Sequence, residues 1–218
     1  MKEYLYVLRS VGLFKSIEAS ELESLLGCIG AEIKNIRRDG IVLLAGDEPR
    51  HVGIVLTGQL HIIREDYNGN RSLIAVLAPG DIFAEALCCA GVPYSPVTVM
   101  AEKDSVVMLL GFARILYTCS NSCSFHKKLI ENTLRLIANK NLMLQSHMEI
   151  ISLKSVRARV MRYLESFMSK QGREITIPLN REELADYLCV ERSALSHELA
   201  RMKNDGLIEY RKNRFLMK

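Results

Sequence analysis

The most restrictive feature of this 218-residue chain is an apolar seam in which the steps between positions alternate between four and three residues. Such an a/d pattern is typical of a helix that pairs with a second helix. Asn141 is the kind of polar residue that fixes the register of paired helices. A second stripe, one residue earlier in each heptad, widens the apolar face so that the helix can also contact its own domain. The seam positions that we expect at a homodimer interface are Ile130, Leu134, Ile137, Asn141, Leu144, Met148 and Ile151.

A different pattern precedes the seam. Between Ile33 and Leu110, short apolar runs such as 53–58 and 72–77 are separated by glycines and other turn residues. Runs of this length at intervals of roughly 8–12 residues indicate an antiparallel barrel or roll. Asn68-Gly69-Asn70 is a hairpin signal between two of the runs. Before this region, residues 19–29 have the pattern of a short helix.

The last third of the chain has the pattern of a helix-turn-helix. Asn180 can cap a helix over 181–188, a short break follows at 189–190, and a second helix covers 191–202. Upstream, Ser152 and Ser155 are alternative caps for a helix over 156–168. The helix-turn-helix positions expected to face inward are Leu184, Ala185, Leu188, Val190, Leu195, Leu199 and Met202.

The N-terminal end of the second helix is where helix-turn-helix proteins enter the major groove. Arginine can make a bidentate contact to guanine, and serine or histidine can reach base edges or phosphates. A following hairpin, 207–217, carries a basic tip and has the pattern of a wing. Solvated, non-binding surfaces are the alternative for both the helix face and the tip. The predicted DNA-contacting residues are Arg192, Ser193, Ser196 and His197 on the second helix, Arg181 on the first, and Lys212 and Arg214 on the wing.

The charge of the chain also differs between the roll with the heptad helix and the helix-turn-helix part. Residues 1–151 hold 15 Lys and Arg against 16 Asp and Glu, whereas residues 152–218 hold 14 against 9, a net charge of +5. A basic module on a near-neutral larger one suits nucleic-acid binding, because cations must replace the counterions of the phosphates.

Composition excludes several classes. With 49% hydrophobic residues, 25% charged residues and five prolines, the chain does not have a disordered, collagen-like or disulfide-scaffold composition. Its apolar runs are too short to span a bilayer, and the first 14 residues lack a signal peptide's uncharged centre. We therefore expect a cytoplasmic protein without a membrane partner. The chain has no phosphate-cradling glycine loop, HExxH helix or GxSxG elbow, so an enzyme is not expected.

Six cysteines suggest a second hypothesis. We expect most of them, including Cys189 in the helix-turn-helix break, to be small core residues. Cys119-x3-Cys123-x2-His126 nevertheless has ligand-like spacing, and Cys88-Cys89 falls in the predicted sensor. A haem, metal or thiol-based redox sensor is therefore an alternative, although no metal site is predicted and the cofactor stays unknown.

A glycine-punctuated roll, a heptad helix and a winged helix-turn-helix together resemble the family of the cyclic-AMP receptor protein and the fumarate-nitrate regulator (CRP/FNR). The marks of this resemblance are 46–47 with 55–60, 79–83, and 192–199 followed by 206–208. The resemblance implies an α+β fold: an antiparallel, cyclic-nucleotide-binding-like β-roll, a long dimerisation helix and a C-terminal winged helix-turn-helix. We set these domains at 1–120, 121–151 and 152–218.

The resemblance also implies a homodimeric transcription regulator that binds a palindromic site in double-stranded DNA, senses a small molecule and has RNA polymerase as a partner. A ligand-binding module that regulates a protein partner is the alternative without DNA. The implied effector pocket comprises Phe83, Ala84, Glu85, Cys89, Tyr94 and Ser95.

The sensor departs from the cyclic-AMP binders of the family. Where they carry Gly-Glu and Arg-Ser, this chain has Ala84-Glu85 and Tyr94-Ser95, and residues 86–101 contain no charge. A buried phosphate would lack the cation that offsets its desolvation. We therefore predict that cyclic AMP is not the effector, which stays unidentified. The recognition helix departs as well, with Ser193 and His197 where those proteins carry Glu and a second Arg, so the operator cannot be inferred.

Overall fold

The computed structural model describes residues 2–116 and 124–218. The chain divides into two compact units, 1–139 and 140–218. The first unit is built on an antiparallel sheet and the second on helices with a small sheet.

The sheet of the first unit contains the strands that the glycine-punctuated runs predicted. Its strands are β1 (Glu32–Ile36), β2 (Ile41–Leu43), β3 (His51–Glu65), β4 (Arg71–Leu77), β5 (Ile82–Phe83) and β6 (Thr98–Gly111). The order is β1-β6-β3-β4, with β2 paired to β6 and β5 paired to β3, and every pairing is antiparallel. The antiparallel N-terminal sheet is therefore confirmed.

The β3–β4 hairpin turns where Asn68-Gly69-Asn70 predicted it. Gly69 has a φ of +81°, and the Asp66 carboxylate accepts hydrogen bonds from the backbone of Asn68 and from both the backbone and the side chain of Asn70. These bonds, led by the Asn70 side chain, lower the pKa of Asp66. A side chain that satisfies the loop backbone in this way fixes the turn.

Helices flank the sheet. They are α1 (Leu5–Ser10), α2 (Ala19–Cys28), α3 (Glu85–Ala90) and α4 (Phe112–Leu116). Apolar residues of α1 and α2 pack with β3 and β6 in one core, which includes Leu8, Leu25, Ile54 and Met108.

A single helix, α5 (Ser124–Ser152), contains the whole heptad seam, so the predicted long helix is confirmed. Its first half is tied to the first unit: Leu129 is buried, and the Asn132 side chain donates to the carbonyls of Leu13 and Lys15 at 3.1 and 2.8 Å. His126 Nε2 lies 3.0 Å from the Arg114 carbonyl at the end of α4.

The second unit contains the predicted helix-turn-helix and hairpin. Its elements after α5 are α6 (Val156–Gln171), β7 (Glu174–Thr176), α7 (Arg181–Tyr187), α8 (Arg192–Asn204), β8 (Ile208–Arg211) and β9 (Arg214–Met217). The sheet order is β7-β9-β8. Of the two candidate caps for α6, Ser155 is the one used, since its hydroxyl accepts from the Ala158 N–H. Ser152 instead donates to the Glu149 carbonyl at the end of α5.

Candidate nucleic-acid interface

The scaffold of the interface is the pair α7 and α8. Asn180 caps α7, because its Oδ1 accepts from the backbone of Glu182 and Glu183 and its own N–H donates to the Glu183 carboxylate. Val190 is half-buried, and the other inward-facing positions predicted from the sequence are fully buried: Leu184, Ala185, Leu188, Leu195, Leu199 and Met202.

The break between α7 and α8 is fixed by backbone hydrogen bonds. Cys189 N–H donates to the Asp186 carbonyl, and Val190 N–H donates to the Ala185 carbonyl. Cys189 has a φ of +52°, in the left-handed region that reverses the chain after a helix. Its side chain is exposed, so the expectation of a buried cysteine in the break was wrong. The small residue at the contact between the two helices is Ala185.

The outer face of α8 carries the predicted base-reading residues. At 100° per residue, Ser193, Ser196 and His197 lie opposite the buried stripe of Leu195, Leu199 and Met202. All three are exposed, as is Arg192 in the first turn. The Ser196 hydroxyl donates to the Arg192 carbonyl at 2.9 Å, which leaves its oxygen able to accept.

The wing turn lies between β8 and β9. Lys212 and Arg214 are exposed there, and Lys212 has a φ of +55°. Arg181 is different from the other predicted contacts. Its guanidinium lies 5.2 Å from the Tyr210 ring centroid and donates to the Lys212 carbonyl at 3.3 Å, and burial lowers its pKa. Arg181 therefore ties α7 to the wing.

Two arginines of α6 hold the helix-turn-helix in ways that the sequence did not predict. Arg157 binds Glu198 at 2.6 Å and Asp205 at 2.7 Å, which fixes α8 on α6. Arg159 Nη1 donates to the carbonyls of Leu188 and Cys189 at 2.9 and 3.1 Å. These contacts join residues about 30 to 50 positions apart, so no local pattern could have shown them.

Arg201 is a further exposed cation that sequence reasoning missed. It lies one helical turn beyond His197, at the edge of the exposed face of α8. The signal was present, since 193, 197 and 201 follow one another at helical spacing.

The residues predicted as an effector pocket lie around β5 and α3 of the first unit, but they differ in how far they are buried. Phe83 is buried, and its ring occupies the space that a side chain on Gly53 would fill. Phe83 is therefore a core residue that holds β5 against β3, and its assignment to the effector pocket stays a prediction.

The remaining members of the predicted pocket divide by exposure. Ala84 has a φ of +62° and starts α3, and Glu85, the first residue of that helix, is buried. Ser95 is buried and donates to the Val97 carbonyl at 2.7 Å. Cys89 and Tyr94 are exposed. Glu85 and Ser95 are thus the buried polar members of the set.

The cysteines do not form the expected set of core residues. Cys28, Cys89 and Cys189 are exposed, whereas Cys88 is buried and its thiol donates to the Pro49 carbonyl at 3.1 Å. Burial raises the pKa of Cys88 to about 12. A protonated thiol is a poor nucleophile and metal ligand, so this geometry disfavours Cys88 as a redox or metal-binding thiolate.

Cys119 and Cys123 of the Cys-Cys-His motif lie outside the described residues. Among the residues that are described, no three His, Cys, Asp or Glu side chains are grouped to hold a metal ion. Within 2–116 and 124–218, no helix has the length and apolarity needed to cross a membrane.

The seam of α5 is largely uncovered. Leu134, Leu144 and Met148 are 67%, 64% and 66% exposed, and Asn141 is exposed between them. Ile130, Ile137 and Ile151 are half-buried. The second stripe differs, because Leu129 and Ile150 are fully buried in their own units.

An antiparallel N-terminal sheet, a long helix with an exposed apolar seam and a basic winged helix-turn-helix define a class of protein: a DNA-binding transcription regulator. Two family models agree with this assignment. "Cyclic nucleotide-binding domain" matches residues 33–121, and "Crp-like helix-turn-helix domain" matches residues 158–218. The chain belongs to the CRP/FNR family of transcription regulators.

Named relatives are consistent with the family. The chain is 27% identical over 173 residues to a probable transcriptional regulator flp of Lacticaseibacillus casei, covering 78% of this chain and 76% of that one. It is 22% identical over 209 residues to a CRP-like cAMP-activated global transcriptional regulator of Mycobacterium tuberculosis, covering 93% and 90%. The structure of the catabolite activator protein of Thermus thermophilus is similar in fold, with a TM-score of 0.55, 18% identity and coverage of 95% and 93%.

Proposed function

We propose that this protein acts as a homodimer that binds palindromic promoter DNA through α8 and the wing, in response to a small molecule bound by the first unit. The observation that carries the proposal is the exposed face of α8. It presents Arg192, Ser193, Ser196 and His197 above a fully buried core, in the part of the chain with net charge +5. Regulation of this kind takes place in the cytoplasm with RNA polymerase as the functional partner.

Pairing through α5 supports the palindrome. A two-fold symmetric dimer presents two copies of α8, so its preferred site repeats the same half-site in inverted orientation. The exposed leucines and Met148 give the pairing its driving force, because their apolar surface leaves water when two helices meet.

The effector differs from cyclic AMP in this proposal. Tyr94 and Ser95 stand where the cyclic-AMP binders carry Arg-Ser, Tyr94 is exposed, and the Ser95 hydroxyl is already bonded to the Val97 carbonyl. Isothermal titration with cyclic AMP should give no binding at micromolar concentration, and micromolar affinity would contradict this part of the proposal.

Selection from a random duplex library tests DNA reading directly. The full-length protein should enrich an inverted repeat whose half-sites are centred about one or more helical turns apart, roughly 10 base pairs each. Enrichment of single half-sites would contradict the symmetric dimer. No enrichment at low salt would contradict sequence-specific binding itself and would favour the module that regulates a protein partner.

A further inference from the structure

The break between α7 and α8 is held from outside the helix-turn-helix. The last carbonyls of a helix have no partner within it. At the end of α7, His147 Nε2 lies 2.6 Å from the Tyr187 carbonyl, and Arg159 binds the next two carbonyls. Because a carbonyl can only accept, Nε2 of His147 must carry the hydrogen. One of these two clamps, His147, belongs to α5.

His147 is fixed by a second interaction. Its ring stacks on the Tyr187 ring with centroids 4.3 Å apart and planes 29° from parallel. Tyr187 in turn contacts the Tyr163 ring at 5.0 Å, and Tyr163 meets Phe167 edge-on at 5.2 Å, both on α6. The imidazole therefore joins α5, α6 and the end of α7 through a hydrogen bond and an aromatic row.

The position of His147 on α5 connects this clamp with the exposed seam. Leu144, one turn before it, and Met148, next to it, are both largely exposed. Ile150, one turn after it, is buried in the core of the second unit. The face of α5 that carries the exposed seam and the face that carries His147 and Ile150 are thus neighbouring faces of one helix. Because both faces belong to one helix, pairing that holds α5 in place also holds the imidazole in place, and a 2.6 Å hydrogen bond tolerates only a small displacement once pairing is lost.

We infer that His147 is a positioning residue that couples pairing of α5 to the placement of α8 on DNA. This inference rests on the proposed dimeric, DNA-binding function. A displacement of α5 moves the His147 donor and so disturbs the Tyr187 carbonyl to which it is bonded. Tyr187 is the last residue of α7, five positions before Arg192. The coupling needs no contact between His147 and DNA.

A double-mutant cycle on the full-length protein, measured by amide hydrogen exchange, tests the coupling without DNA. Leu134→Lys places a charge in the seam thirteen residues before His147, about 20 Å along a helix. Sites this far apart should act independently unless the helix links them. We expect Leu134→Lys to speed exchange of the backbone amides at 186–192 about tenfold in the chain with His147, and to have no such effect once His147→Phe is present. The tenfold factor corresponds to 1.4 kcal/mol.

Two further variants separate the hydrogen bond from packing. His147→Phe keeps a ring on Tyr187 but removes the donor, whereas His147→Gln removes the ring but keeps a donor. We expect the glutamine variant to retain the response to Leu134→Lys. Gln145→Ala, at an exposed position two residues away, is the matched control and should respond as the unaltered chain does.

Two results would overturn the inference: additive effects of Leu134→Lys and His147→Phe, or no response to Leu134→Lys in either background. Failure of the DNA proposal is seen separately, as absence of an enriched duplex in library selection with the unaltered protein. If a duplex is enriched, His147→Phe should weaken its binding about tenfold with little change in the unfolding temperature.

Discussion

Leu144→Ala is the most direct perturbation of the α5 seam. Leu144 is 64% exposed in the single chain, so most of its side-chain surface remains available for burial in a dimer. Full burial of a leucine is worth roughly 2 kcal/mol, and about two-thirds of that is about 1.3 kcal/mol. Alanine retains a fraction of this, which leaves a loss of about 1 kcal/mol in each protomer.

Symmetry doubles the loss, because a two-fold interface contains each substitution twice. The dimer should therefore be weakened by about 2 kcal/mol, or about 30-fold in its dissociation constant. Sedimentation equilibrium over a wide concentration range measures this constant. Thermal unfolding of the dilute monomer should change little, since the side chain is mostly exposed there.

Gln145→Ala is the control for this measurement, because it alters the adjacent exposed residue outside the seam. It should leave the dissociation constant unchanged. An unaltered protein that stays monomeric at all concentrations would refute the reasoning, as would a Leu144→Ala dimer as tight as the original.

Three other substitutions or treatments have defined outcomes. Arg192→Ala should cost roughly 1–3 kcal/mol in binding of an enriched duplex and relax selection at one base pair per half-site, measured by repeating the library selection with the variant. Cys189→Gly should stabilise the protein by about 1 kcal/mol, because glycine adopts the left-handed backbone without the Cβ penalty, and a lowered unfolding temperature would contradict this. Cys88 should resist iodoacetamide at pH 8 while Cys89 reacts, as seen by peptide mass spectrometry. Because folding raises the pKa of Cys88 from about 9 to about 12, its contribution to stability is complete below pH 9 and should be lost as pH rises through that interval.

The sequence predicted those parts of the fold that depend on local periodicity. The buried stripe of α8 follows from apolar residues at helical spacing, and the β3–β4 turn follows from Asn68-Gly69-Asn70. What it did not predict depends on contacts between distant positions. Gly53, thirty residues before Phe83, leaves the space that the Phe83 ring fills, and no local pattern shows this packing.

The same distinction applies to the helix-turn-helix break. A cysteine between two helices suggests a small buried residue, but the left-handed backbone of Cys189 leaves its side chain exposed. Arg159 and His147, which hold the carbonyls at this break, lie on other elements and carry no local signal. The predicted domain limits stay predictions, as do the site residues, whose roles depend on ligands and partners.

The count of 14 Lys and Arg in residues 152–218 overstates the number of cations available to DNA. At least five of the 14 are engaged within the second unit: Arg157, Arg159, Arg162, Arg181 and Lys218. The wing offers three per protomer, at 211, 212 and 214. Six in a dimer predict a slope of about −5 for the logarithm of affinity against the logarithm of salt concentration. If all 14 in each protomer contacted phosphates, the slope would be about −25. Titration of an enriched duplex at several salt concentrations distinguishes the two values. The nine Lys and Arg of each protomer outside these five contacts would give a slope of about −16, so only a slope steeper than about −16 would show that the internal contacts open on DNA.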